Sequence, residues 1–411
     1  MNTSTDEQAL GSDGSGERLP LDGVKVLDLS NLMAGPTATM HLADFGAEVI
    51  KVERPRTGDD LRHWGHLQNG LGLAFKVLNR NKRLVTLDLS TASGQEVARR
   101  LAERVDLVVE SFRPGTLERW GLGFDDLLRV NPRLIMARIT GFGQRGPYSE
   151  RRAFGTLGEA MSGMAHMNSD KDGQPRLPAF GLGDASAAIF AAYGLVLALF
   201  SQRVNGGKGQ YIDLALYEGL YTFLGLRFTD YAQLGVVIER GRDSSVAPRS
   251  TYRCLDGVWI ALSGGTQTTF AAICEATGRP DLIRDARFET NEQRIKHIDD
   301  LDMALAEAIG SLEWGDLAEK ADTLGAPMFP IYDIPRFLSD PQVKFRGNAL
   351  TVEDEELGSV LVQSPAPRLS STPGRVKQLA GPLGKDNDYV YRDWLKMNAD
   401  QYQRLREEGV I

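Results

Sequence analysis

The sequence predicts an α/β protein built on a parallel, doubly wound sheet, and three observations predict it. Short runs rich in Val, Ile and Leu recur from Val24 to Ile139, helical patterns fill the gaps between them, and Gly or Pro stands at the joints. Strands covered on both faces need continuous apolar runs, and crossovers between parallel strands need helices. VKVLDL at 24–29 is the first buried strand and AEVIKVE at 47–53 the second. Between them Pro36 sits where a helix starts, TATMHLADF carries it, and Gly46 ends it. RLVTLDL at 83–89 is a third strand, followed by a helix around SGQEVARRLAERV at 93–105. DLVVES at 106–111 and RLIMARI at 133–139 are the fourth and fifth strands.

Beyond Gly141 the pattern loosens into glycine-bounded segments and then reaches a long helix over 185–203. A turn at NGGKGQ precedes YIDLALYEGLYTFLGL, a strand followed by a helix. After Leu234 the composition changes, and VAPRSTYRCLDGVWIALS reads as a β-hairpin turned at Asp256 and Gly257. Helices follow around 268–277 and 298–312. GAPMFPIYDI at 325–334 is a Pro-broken segment leading back to the first part, and an exposed helix over 399–408 ends the chain.

Composition removes several function classes. The chain has 411 residues, 42% of them hydrophobic and 25% charged, which are ordinary globular values. A net charge of −8 and a pI near 5.4 argue against nucleic acid or an anionic membrane as partner. Cys254 and Cys274 have no CxxC spacing and the five histidines form no ligand motif, so neither a disulfide scaffold nor a metal site is expected. The first seventeen residues are polar and Gly/Ser-rich, without the basic and apolar regions of a signal peptide. The most apolar stretch, 185–200, has 16 residues, short of the ~20 that span a membrane. These features describe a cytoplasmic protein with a disordered leader over 1–18.

Four constellations could carry chemistry. The first is the loop DLSNLMAGP after the first strand, with Glu53 closing the next. A dinucleotide site wants GxGxxG there, but only Gly35 is placed for it, so NAD is not favoured. Arg54 after Glu53 suits a phosphate, and a ligand still belongs at the carboxyl ends of these strands. A tight turn with a surface ion pair explains the same residues. The second is GLGD, ending at Asp184 before the apolar helix. Asp184 is either an N-cap accepting a free helix N–H, or a carboxylate kept ionised by the helix terminus and able to attack an activated acyl group. Spacing leaves both open. The third is a recurrence of basic residues along successive loops: Arg54, Lys82, Arg83, Arg113, Arg119, Arg138, Arg145, Arg151 and Arg152. It points to an anionic ligand, although each alone reads as a solvated charge. The fourth is apolar, Met161, Met164 and Met167 with Phe154 and Phe180, either core or the lining of an acyl or aryl pocket.

Taken with AGPTATMHLADFGAEVIKVERPRTGDDLR, NRNKRLVTLDLSTASGQE, VVESFRPGTLERWGLGFDDL and GDASAAIFAAYGLVLALFSQRVNGGKGQYIDLAL, the chain resembles the family III CoA-transferases (the CaiB/BaiF family). The resemblance implies two interlocked subunits. Each has a large Rossmann-like α/β domain made by both chain ends, here 19–225 and 335–411, and a smaller α+β domain, 235–325, joined by linkers 226–234 and 326–334. It implies Asp184 as the nucleophile, acylated by a donor acyl-CoA and converted to an aspartyl–CoA thioester. Coenzyme A would then be contacted by Asn31, Leu32, Met33, Arg54, Leu87, Ser90, Ser111, Phe112, Arg113, Arg119 and Arg152. Ser90 at a Lys position and Ser111 where Asn is common depart from the family pattern. Acyl-CoA racemases of the same fold place a His where this chain has Phe154, which can neither take nor give a proton. That leaves a transferase, with a racemase or a non-catalytic subunit of a heteromer as the alternatives. Donor and acceptor lean toward succinyl-CoA and a dicarboxylic or aryl-substituted acid, with Arg227 and Arg249 as carboxylate clamps or surface ion pairs.

Overall fold

In the computed structural model, which describes residues 18–169, 173–237, 240–241 and 245–411, six parallel strands form the central sheet. They are β1 (Lys25–Asp28), β2 (Glu48–Glu53), β5 (Arg83–Thr86), β6 (Leu107–Glu110), β7 (Ile135–Thr140) and β8 (Gln210–Ala215), with a two-residue hairpin, β3 (Leu67–Gln68) and β4 (Leu71–Gly72), between the second and third. Their order is β5-β2-β1-β6-β7-β8, and every neighbouring pair is parallel. Winding therefore reverses between β1 and β6, so the loops leaving those two strands diverge and open a crevice at the carboxyl edge. The expected doubly wound parallel sheet is present, with YIDLAL as its sixth strand. The leader expected over 1–18 lies, but for Arg18, outside the described residues.

Burial of both sheet faces explains the continuous apolar strands. One face packs on the first helix (Ala34–Asp44) and the long helix (Leu182–Asn205). Ala38, Ala187, Ala188 and Ala191 are fully buried there, and small side chains let the two helices approach closely. The other face is covered by the helix Ala92–Ala102 and by the C-terminal segment, through Val390, Tyr391, Leu395, Tyr402 and Leu405. The final helix, Ala399–Glu407, is thus not simply exposed: Tyr402 and Leu405 anchor it in the core. Edge strand β5 is covered as well. Asp386 accepts the Leu84 N–H at 2.8 Å, Asn387 accepts that of Thr86 at 2.9 Å, and the Tyr391 hydroxyl donates to Thr86 O at 2.7 Å. These bonds occupy groups that an open sheet edge leaves free.

Of the described residues, 18–165, 177–225 and 344–411 make one compact unit, and 166–176 with 226–343 make a second. The first draws on both chain ends. It also holds a hairpin absent from the sequence expectation, β12 (Ala349–Asp354) with β13 (Gly358–Gln363). The second unit contains a three-stranded antiparallel sheet, β11-β10-β9, of β9 (Arg249–Arg253), β10 (Trp259–Ser263) and β11 (Met328–Pro330). The β9–β10 hairpin turns at Asp256 and Gly257, where Gly257 has φ of +84°. Helices Gln267–Ala276 and Ile298–Gly310 pack beside the sheet around Phe270, Ile273, Leu301 and Leu305. Segments 226–234 and 326–334, expected as linkers, carry the helix Arg227–Leu234 and strand β11.

The long helix has 24 residues, more than the sequence expectation, and its composition would suit a membrane span. Half of that apolar window is buried inside the protein. Gly206, with φ of +63°, caps the end of this helix in the expected NGGKGQ turn.

Candidate active site

At the switch point, the loop after β1 is shaped by buried charge. Gly35 lets the first helix fold back onto Ser30, since a Cβ at 35 would lie 2.2 Å from the Ser30 Cβ. Leu32 takes a left-handed conformation, φ +64°, that side chains resist. Both oxygens of buried Asp59 accept its N–H at 3.2 Å, and Asp59 is paired with buried Lys51 at 3.0 Å. Lys51 also donates to the carbonyl of Ser30. Beneath them Asp28 accepts from Ser30, from Thr39 at 2.6 Å and from Lys82 at 3.0 Å. Burial opposes the charge on Asp28, yet Lys82 and Lys51 hold its carboxyl below the usual range.

Across the crevice, the loop after β6 is held in the same manner. Glu110 accepts the Phe112 N–H at 2.7 Å and Arg138 Nε at 2.8 Å, and Arg138 also pairs with Glu118 at 2.8 Å. Burial pushes the Glu110 carboxyl up to about 7 against the pull of Arg138. The two loops touch where Asn31 N donates to Ser111 Oγ at 3.0 Å. Asn31, Leu32, Met33, Ser111 and Phe112 are therefore gathered at one place.

The other expected contacts divide. Arg54 follows β2 directly and is exposed, paired with Asp60 at 2.5 Å. Arg113 is exposed and donates to Glu150 O at 2.7 Å, and Arg119 is exposed and donates to Thr116 at 3.0 Å. Arg152 is exposed. Ser90 is exposed and donates to Asp88 at 2.6 Å. Leu87 is a core residue with 1% exposure, which leaves only its backbone for a ligand. Three of the recurring basic residues do not face a ligand edge. Lys82 and Arg138 are consumed in buried pairs, and Arg83 starts β5 at the opposite edge, bonded to Asp386. A sequence displays charge but not the direction in which it points.

Asp184 is not an N-cap. The cap is Gly181, and Asp184 is the third residue of the helix. The acceptor that closes the helix start is Glu159, whose Oε1 takes the Gly183 N–H at 3.0 Å. Glu159 belongs to the short helix Gly155–Met161 and is 2% exposed. The backbone N–H of Gly155 lies close enough to favour the charged form of the Asp184 carboxylate. The approach is close enough to require glycines: a Cβ at 155 would lie 2.4 Å from Asp184 Oδ2, and one at 183 would lie 2.3 Å from Gly155 O. Burial, with the charge of Glu159 adding to it, pushes the Asp184 carboxyl up to about 6. This reverses the expectation that the helix terminus dominates.

Site and crevice adjoin. A Cβ at Gly181 would sit 3.5 Å from Asp184 Oδ2 and 3.7 Å from Met33 Sδ, so Met33 of the switch-point loop reaches the carboxylate's own turn. Phe154, Leu157, Met161 and Phe180 stand exposed in the segments flanking it, and Phe154 is 61% accessible. Met167, Arg227 and Arg249 belong to the second unit, where Arg227 pairs with Asp230 at 3.3 Å. Sequence reasoning missed Glu159, Asp59 and Lys51. Only a carboxylate inside the apolar stretch AFGTLGEAMSG hinted at the first.

The profile of CoA-transferase family III matches residues 21–387. A succinyl-CoA–D-citramalate CoA-transferase of Chloroflexus aurantiacus is 40% identical over 395 residues, which are 95% of this chain and 98% of that protein. The beta subunit of a succinyl-CoA–L-malate CoA-transferase from the same organism is 36% identical, over 97% of this chain and all of its own length. A crystal structure of a CaiB/BaiF family protein from Brucella suis superposes with a TM-score of 0.79 at 30% identity, covering 92% of this chain and 100% of that one. A parallel sheet with a crevice at its switch point, a carboxylate beside it and relatives that agree over nearly the full length lead to one assignment: the chain belongs to CoA-transferase family III and is a CoA-transferase.

Proposed function

We propose that the protein is a cytoplasmic acyl-CoA:carboxylate CoA-transferase that uses Asp184 as a covalent nucleophile, succinyl-CoA as donor and a dicarboxylic acid as acceptor. One observation carries this reading. The switch-point crevice, where a nucleotide-bearing substrate belongs, runs through Met33 into the turn that holds Asp184. The names of the citramalate and malate relatives support the donor and favour a dicarboxylic over an aryl acceptor. Coenzyme A enters as part of the substrate. Asn31, Leu32, Met33, Ser111, Phe112 and Arg113 line its path, Arg54, Arg119 and Arg152 meet its phosphates, and Ser90 and the Leu87 backbone add contacts.

Asp184 attacks the donor thioester carbonyl, forming a C–O bond as the C–S bond breaks and the thiolate leaves with the electron pair. The thiolate then attacks the aspartyl carbonyl, releasing succinate and leaving an aspartyl–CoA thioester. The acceptor carboxylate reverses both steps and frees Asp184. No net proton moves, and the cycle calls on neither a metal nor NAD. The Gly155 N–H polarises the Asp184 carbonyl while it is acylated, as an oxyanion-hole donor does. We pair the chain with a second, interlocked copy or a related subunit. An exposed apolar face on the long helix, through Ile189, Tyr193, Phe200 and Val204, supports this.

The test is the intact mass of the protein after incubation with succinyl-CoA. A gain of CoA minus water on the peptide holding Asp184, absent from Asp184→Ala along with transfer activity, is expected. Undiminished turnover in Asp184→Ala would overturn the assignment.

A further inference from the structure

Glu159 is a carboxylate that the reaction above does not use, yet it is buried to 2% exposure and bonded to the segment that carries Asp184. Its carboxylate accepts the N–H of Gly183, the residue before Asp184, at 3.0 Å. It is also the charged side chain that acts on Asp184, the other polar influence being the neutral Gly155 N–H. Two carboxylates crowded at one helix terminus is costly, because like charges each disfavour the other's ionised form.

We propose that Glu159 is a positioning residue that drives acylation of Asp184, fixing the helix start through Gly183 and destabilising the free carboxylate relative to its uncharged acyl forms. The inference rests on Asp184 being the nucleophile. When Asp184 bonds to an acyl carbon, its negative charge departs on the thiolate or on the released carboxylate, and the repulsion with Glu159 ends. That relief appears only after attack, so it favours the covalent states over the resting one, and a more basic carboxylate is a better nucleophile. The buried face of the short helix holds the charge close without exposing it to the acyl group.

The experiment follows adduct formation with succinyl-CoA against pH in the full-length protein and in Glu159→Gln. Glutamine keeps an oxygen for the Gly183 N–H but loses the charge. The wild type should lose reactivity as pH falls through about 6, well above the ordinary aspartate value of 3.8. In Glu159→Gln the acid limb should move toward that ordinary value and the adduct should form on the order of tenfold more slowly. Glu159→Asp, which keeps a charge, should retain a raised limb. An unchanged limb and rate in a folded Glu159→Gln would overturn the proposal, as would a wild-type limb at the ordinary value, which requires no variant. Failure of the underlying reading looks different, since the wild type would then form no adduct and Asp184→Ala would turn over.

Discussion

At the scale of single residues, the site holds a half-buried carboxylate at a cost in stability. Asp184 has a folded-state pKa near 6 against an ordinary 3.8. Its ionised form is therefore disfavoured by folding, and stability is lost as pH rises through that interval. Asp184→Asn removes the charge and keeps an acceptor for Gly155. It should raise the thermal midpoint at pH 8 by the equivalent of about 1–2 kcal/mol, allowing for the part of the side chain that water reaches. The gain should vanish below pH 4. Melting curves across pH check this, and an Asn variant no more stable than the wild type at pH 8 would contradict it. Asp184 was legible because Gly-Asp before a long apolar run is a local pattern. Glu159 was not, because its partner Gly183 is distant in sequence and the two meet only through helix packing.

At the scale of elements, each loop lining the crevice rests on a buried carboxylate. Asp59 holds the strained Leu32 N–H and neutralises Lys51, and both side chains are fully buried. Removing one member of such a pair leaves an uncompensated charge inside the protein. Asp59→Ala should therefore cost about 3–5 kcal/mol in chemical denaturation and raise KM for the acyl-CoA more than it lowers kcat. A variant of wild-type stability and KM would show that the loop stands without its clasp. These clasps could not be read from the sequence. Lys82 and Arg138 looked like ligand groups there, and nothing local distinguishes a lysine aimed at solvent from one buried against Asp28.

At the scale of the whole molecule, the long helix has two apolar faces. Ala187, Ala191 and Leu195 are buried, while Tyr193 and Phe200 are more than half exposed. Exposed apolar side chains grouped along one helix mark an association surface. If the second subunit proposed above docks on this face, Phe200→Glu with Tyr193→Glu, nearly neutral where the face meets only water, should give a monomer in light scattering and abolish transfer. An unaltered mass and full activity would place the subunit contact elsewhere. The chain's return to its starting sheet has a physical basis too, since β5 is an edge whose free N–H groups need the side chains of Asp386 and Asn387.

Local pattern carried the sheet class and the six strands of the parallel sheet, because continuous apolar runs, helix periodicity and glycine placement act over short stretches of chain, while it left Asp184 open between a cap and a nucleophile until the family resemblance was weighed. The fold decided that Gly181 rather than Asp184 caps the long helix, that Glu159 bonds the Gly183 N–H beside Asp184, and which charges are buried. Charge burial and carboxylate pKa depend on neighbours brought together from distant parts of the chain, and desolvation acts on a group only once the fold has closed around it.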